Sequence, residues 1–177
     1  MKTAVLGAGA WGTALATMLA ENGRETVLWA REEDVVEQIR TKRENTVFLP
    51  GVPLSPDLGA TSDPAEALSD ADVYLVVIPS QFLRVSLESF REYMGEGPVV
   101  VCASKGIELE SLSPMSEVVS AALEGLNPRY AVMSGPSFAA EVSRGMPTSV
   151  SLGCEDAELG RTLRELFSNQ FFRVYST

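Results

Sequence analysis

Apolar residues along this chain fall into short unbroken runs separated by stretches of helical periodicity. Residues 3–6 (TAVL) form the first run and read as a buried strand that ends in glycine. Leu15, Met18 and Leu19 then recur at helical spacing, and Gly23 supplies the stop. Residues 25–30 (ETVLWA) predict a second strand, and Val35, Val36 and Ile39 a second helix. A proline-broken loop, FLPGVPLSPDL, follows. Asp63, Pro64 and Glu66 make a capping box with proline at the first helical position. Residues 73–78 (VYLVVI) and 98–103 (PVVVCA) are continuous apolar runs, as expected of parallel strands covered on both faces. A helix is predicted from Ser113-Pro114, with strands at 130–133 and 148–152. Leu159, Leu163, Leu166 and Phe167 predict a last amphipathic helix, and the strand-like FFRVYS closes the pattern.

Strands alternating with helices indicate an α/β fold, a doubly wound, mostly parallel sheet with helices on both faces. There is no internal repeat, low-complexity tract or linker. The expectation is therefore one domain over residues 1–177.

The first strand runs into GAGAWGTALA, which places Gly7, Gly9 and Gly12 in G-x-G-x-x-G spacing. Between a strand and a helix this is the dinucleotide-binding turn of a Rossmann-type domain. The first glycine permits the tight turn, the second lets a pyrophosphate reach the backbone, and the third lets helix and strand pack closely. The phosphates then meet the positive end of the helix. Trp11 either packs or shields the cofactor. At the end of the second strand, roughly twenty residues on, an acid normally holds the ribose 2′-hydroxyl of NAD. Arg31 stands there instead, in WAREED, and suits the 2′-phosphate of NADP. Glu32 and Glu33 lie next to it, so a shift of one residue restores the NAD reading.

Ligands of open α/β sheets bind beyond the carboxyl ends of the strands. Three segments leave such ends. VVIPSQF offers Pro79, Ser80 and an aromatic Phe82; VVVCASKGIE offers Lys105 beside Gly106; MSGPSFAAEV offers Gly135, Pro136 and Ser137. Ser137 reads as an N-cap with a second anion-binding helix terminus behind it.

Composition narrows the chemistry. With no histidine, a Ser-His nucleophile, a histidine base and a His-ligated zinc are excluded. Proton transfer falls to lysine, carboxylate, tyrosine or water. The two distant cysteines, Cys102 and Cys154, read as buried reduced thiols rather than metal ligands. A formal net charge of −10 disfavours nucleic acid and anionic membrane as partners. No run is long enough to insert in a membrane, and MKTAVLGAG has no signal-peptide pattern, so a cytoplasmic protein is expected.

Taken in order, GAGAWGTALA, VLWAR, FLPG, VVIPSQF, ASKGIE, GPSFAAEV and FRVYS closely resemble the NAD(P)-dependent glycerol-3-phosphate dehydrogenases of bacterial type, over essentially the whole chain. The resemblance implies interconversion of sn-glycerol 3-phosphate and dihydroxyacetone phosphate by hydride transfer, in service of phospholipid precursor synthesis. It implies cofactor contacts at Ala10, Trp11, Arg31, Phe82, Lys105 and Ala139, and substrate contacts at Lys105, Gly135 and Ser137. It also implies a possible homodimer of the whole enzyme, and a proton-transferring lysine in a G-G-x-x-K-N motif that opens a helical domain. No residue here matches that motif, so the lysine is expected beyond Thr177 and no catalytic residue is assigned within the chain. The expectation is a cofactor domain that binds NADPH with negligible turnover. Two alternatives stay open: another dehydrogenase with a similar first domain, and a non-catalytic dinucleotide sensor.

Overall fold

The computed structural model describes residues 1–177. Strand β1 (Thr3–Leu6) is buried at all of its positions, which its uninterrupted apolar run requires. Helix α1 (Ala10–Glu21) follows directly, and Gly23 ends it in the left-handed region at φ 71°. The chain returns as β2 (Thr26–Trp29), parallel to β1, and continues into α2 (Glu33–Lys42). The proline-broken loop leads to β3 (Gly59–Thr61), parallel to β2. The apolar pattern does not announce this strand, since its three residues are Gly-Ala-Thr.

After α3 (Pro64–Leu68), strand β4 (Val73–Val76) crosses to the other side of β1. Asp63 caps α3 as expected, its Oδ1 accepting from the Ala65 N–H at 2.9 Å. The capping box is only half made, because the Glu66 carboxylate accepts from Thr61 Oγ1 and faces Arg40. Helix α4 (Ser80–Phe90), β5 (Val99–Cys102), α5 (Met115–Ala122) and β6 (Arg129–Ser134) extend the parallel sheet. A short α6 (Ala139–Val142) precedes β7 (Thr148–Cys154), which pairs antiparallel with β6. Helix α7 (Ala157–Phe167) then leads to β8 (Phe172–Ser176), parallel to β7 at the sheet edge. Thr177 continues that pairing, its N–H donating to the Leu152 carbonyl oxygen at 3.0 Å.

The eight strands run in the order β3-β2-β1-β4-β5-β6-β7-β8, so the sheet is doubly wound and mostly parallel. One core packs Leu15 and Leu19 of α1, Ile39 of α2 and Leu163 and Phe167 of α7 on one face of the sheet. The other face packs Leu83, Leu87 and Phe90 of α4 against Val118 and Val119 of α5. Strand order reverses at β1, whose neighbours β2 and β4 lead away in opposite directions. The loops leaving β1 and β4 therefore part and open a crevice at their carboxyl ends. No helix is long and apolar enough to cross a membrane.

Candidate functional site

The three glycines of the first turn carry different constraints. Gly7 sits at φ 117°, and a Cβ there would lie 2.8 Å from the Val77 carbonyl oxygen. A Cβ on Gly12 would lie 1.9 Å from the Gly7 carbonyl oxygen, so strand and helix touch only because it is absent. At Gly9 a Cβ would meet nothing within 4 Å. That open space is the approach a pyrophosphate needs. The first helical hydrogen bond is Thr13 N–H to Gly9 C=O, at 2.9 Å. The amides of Ala10, Trp11 and Gly12 are thus unpaired at the positive end of a twelve-residue helix.

Two grooves meet over the strand switch point. The first, of about 280 Å³, is lined by Gly7, Gly9, Trp29, Arg31, Glu32, Phe48, Pro79 and Phe82. Arg31 is 79% exposed there and pairs with the Glu32 carboxylate at 3.1 Å, so cation and acid share one rim. The second groove, of about 330 Å³, is lined by Trp11, Pro79, Ser104, Lys105, Ser137, Phe138 and Ala139. Val77, Ile78 and Pro79, at the end of β4, form the wall common to both. Trp11 lines the second groove and packs on Phe172, with ring centroids 6.4 Å apart.

Lys105 projects from the loop after β5, its Nζ 3.4 Å from the Gly135 carbonyl oxygen. The loop is held to α4 by two side chains. Gln81 donates through Nε2 to Ile107 C=O at 2.8 Å and accepts from Leu109 N–H at 3.0 Å. Arg84 grips Glu108 in a bidentate pair, Nε to Oε1 at 2.9 Å and Nη2 to Oε2 at 2.7 Å. The Arg84 guanidinium, then the Ser111 hydroxyl, hold the Glu108 carboxyl down at about 2. The unfolded chain takes up this proton near 4.5, so the clamp stabilises the fold fully above that pH. Its contribution is lost as pH falls from about 4.5 towards 2. Glu108→Gln is accordingly expected to lower the urea midpoint at about pH 6, with the gap to the parent narrowing by about pH 2.5. A gap equal at both values excludes the ionised clamp.

Two expectations need correction, the N-cap role of Ser137 and the burial of Cys154, while Gly135 and Ala10 line neither groove. Ser137 is not an N-cap: Phe138 holds that place, and Ser137 Oγ turns back to donate to Gly135 C=O at 3.3 Å. The helix behind it has only four residues, so no anion-binding terminus forms there. Gly135 lines neither groove; a Cβ on it would sit 3.0 Å from Val150 Cα, and its role is to bring β6 and β7 together while its carbonyl receives Lys105 and Ser137. Ala10 offers its amide and lines neither groove. Cys102 is buried, which pushes its thiol up and keeps it protonated, whereas Cys154 is only half-buried beside the Tyr130 carbonyl.

Lys105 is the only lysine that lines either groove. Thr177 itself stands apart from both, at the sheet edge beside Gly153 and Cys154. Phe48, Phe138 and Ser104 are among the lining residues that escaped the sequence reading. Phe48 sat in a segment read only as loop, and Phe138 lay hidden beside Ser137. Ser104 joins the ends of β5 and β4 by donating to Ile78 C=O at 2.5 Å, a contact its neighbour Lys105 does not advertise.

A glycine turn under unpaired helix amides, opening on a crevice at the switch point of a doubly wound sheet, defines a dinucleotide-binding domain of the dehydrogenase type. Residues 2–160 match the family model described as NAD-dependent glycerol-3-phosphate dehydrogenase N-terminus, and the chain belongs to that family. It is 51% identical over 176 residues to the glycerol-3-phosphate dehydrogenase [NAD(P)+] of Maridesulfovibrio salexigens, covering 99% of this chain and 54% of that one. It is 54% identical to the enzyme of that name from Nitratidesulfovibrio vulgaris, covering 99% and 53%. The crystal structure of glycerol-3-phosphate dehydrogenase from Coxiella burnetii superposes with a TM-score of 0.92 at 34% identity, over 99% of this chain and 53% of that one. The chain thus spans about half the length of the curated relatives it matches.

Proposed function

We propose that this chain is the cofactor-holding half of a glycerol-3-phosphate dehydrogenase, with NADPH preferred to NADH, and that it turns over negligibly by itself. The observation that carries the reading is the meeting of the two grooves at Pro79. The glycine turn that leads into the unpaired helix amides lines the first groove, and Lys105 lines the second. The bound cofactor supplies a hydride for a ketone carbon. The residues of this chain bind and orient. The amides of Ala10, Trp11 and Gly12 hold the pyrophosphate, and Arg31 releases Glu32 to pair with the 2′-phosphate. Trp11, Pro79 and Ala139 wall off water beside the reacting ring. Lys105 draws the substrate, sn-glycerol 3-phosphate or dihydroxyacetone phosphate, towards the loop of Gly135 and Ser137.

Protonating the forming alkoxide requires a donor at the carbonyl oxygen. The resemblance to the family implies that this donor is the lysine of the G-G-x-x-K-N motif, which no residue of this sequence matches, and we assign the step to it. A cytoplasmic setting agrees with two unpaired cysteines.

Calorimetric titration with NADPH and NADH tests the cofactor assignment. NADPH is expected to bind more tightly by at least about tenfold, the worth of one charge-assisted contact. Arg31→Ala should erase that margin while leaving NADH affinity nearly unchanged. Glu32 lines the same groove, and this supports a second reading in which it accepts from the ribose 2′-hydroxyl of NADH. Tighter NADH binding, weakened by Glu32→Gln, would establish that reading instead. Steady-state reduction of dihydroxyacetone phosphate tests the rest: robust turnover by the isolated chain overturns the division of labour.

A further inference from the structure

Asn45 lies in the loop between α2 and β3, outside both grooves, and its side chain is wholly buried. It makes three hydrogen bonds. Its Nδ2 donates to the Ala8 carbonyl oxygen at 2.9 Å and to Thr13 Oγ1 at 2.9 Å. Its Oδ1 accepts from the Phe48 N–H at 3.0 Å. Thr13 Oγ1 in turn donates to the same Ala8 oxygen at 3.2 Å. Two donors therefore converge on one carbonyl in the middle of the glycine turn.

The peptide between Ala8 and Gly9 is trans and planar, so its N–H points opposite to its C=O. Drawing the Ala8 oxygen onto Asn45 and Thr13 aims the Gly9 N–H the opposite way, away from both side chains. That N–H makes no hydrogen bond within the chain. The same Asn45 side chain fixes the backbone at Phe48, which lines the first groove together with the turn. We infer that Asn45 is a positioning residue for the dinucleotide: one buried amide sets both the direction of the Gly9 N–H donor and the distance to the Phe48 wall. The inference rests on the reading of the first groove as the cofactor groove.

A residue that merely anchored its loop would affect melting and leave the pH dependence of cofactor binding untouched. The discriminating variant is therefore Asn45→Asp. An ionised carboxylate offers no proton to Ala8 and draws the Thr13 hydroxyl to itself, so the Ala8 oxygen loses both donors. A protonated carboxyl restores one donor to Ala8 and still accepts from Phe48. Burial raises the carboxyl pKa, which brings the change into a window where NADH keeps its charge.

The test is NADH titration of the parent chain, Asn45→Ala and Asn45→Asp between about pH 5.5 and 8.5, at temperatures where melting curves show each to be folded. The parent is expected to bind with little pH dependence, and Asn45→Ala more weakly by about tenfold or more. Asn45→Asp should match Asn45→Ala at about pH 8.5 and recover to within about threefold of the parent at about pH 5.5. An Asn45→Asp profile parallel to that of the parent, at any affinity, overturns the inference, as does a folded Asn45→Ala with parental affinity. A parent chain that binds neither NADH nor NADPH removes the groove reading itself and this inference with it.

Discussion

Gly12→Ala is expected to lower Tm by at least about 10 °C. The added methyl would sit 1.9 Å from the Gly7 carbonyl oxygen, with the Gly7 carbonyl carbon at 3.1 Å. Both are backbone atoms of a turn already fixed between β1 and α1, so neither yields as a flexible side chain would. Relief requires α1 to lift from the sheet, and α1 carries Leu15 and Leu19, both fully buried in the larger core. Separating that contact costs upwards of about 3 kcal/mol, in the upper range for overpacking. Differential scanning calorimetry reads the result, and a Tm within about 2 °C of the parent would refute the close approach of helix and strand.

Gly9→Val should do the converse. Gly9 sits at φ −63° and ψ 176°, an extended conformation open to any residue, and its missing Cβ faces empty space. The fold should therefore hold, with Tm within about 2 °C of the parent. What the valine fills is the approach to the unpaired amides of Ala10 and Trp11. A bulky side chain there keeps phosphates off the helix terminus, and NADPH affinity should fall by about two orders of magnitude, near 3 kcal/mol. Parental affinity in a folded Gly9→Val would move the pyrophosphate away from this turn. The two glycines, three residues apart, thus separate stability from binding.

How much of this was legible in the sequence follows from what each feature depends on. β1 and β4 were plain because a strand buried on both faces must be apolar throughout. β3 was not, because pairing alone holds Gly59, Ala60 and Thr61 at the sheet, with no apolar run to mark them. The β7 strand was legible but its antiparallel direction was not, since an apolar pattern has no direction. Within the site, the glycine turn declared itself because three constraints act within six residues. Ser137 misled because a serine hydroxyl before a helix can donate as well as accept, and here it donates to the Gly135 carbonyl. The grip of Gln81 and Arg84 on the lysine loop, and of Asn45 on Ala8, join residues 24 to 37 positions apart. Such pairs meet only once the fold has brought them together.

The placement of the tryptophans has a practical consequence. The chain has two, and each stands at a different groove: Trp29 beside Arg31 and Phe48, Trp11 beside Lys105 and Ala139. Trp29 is held by a hydrogen bond to the Ser62 carbonyl and by an edge contact with Phe90, whereas Trp11 leans on Phe172. The domain thus carries two native fluorophores, one at each groove. Single-tryptophan variants, Trp11→Phe and Trp29→Phe, would report occupancy of the two grooves as separate optical signals.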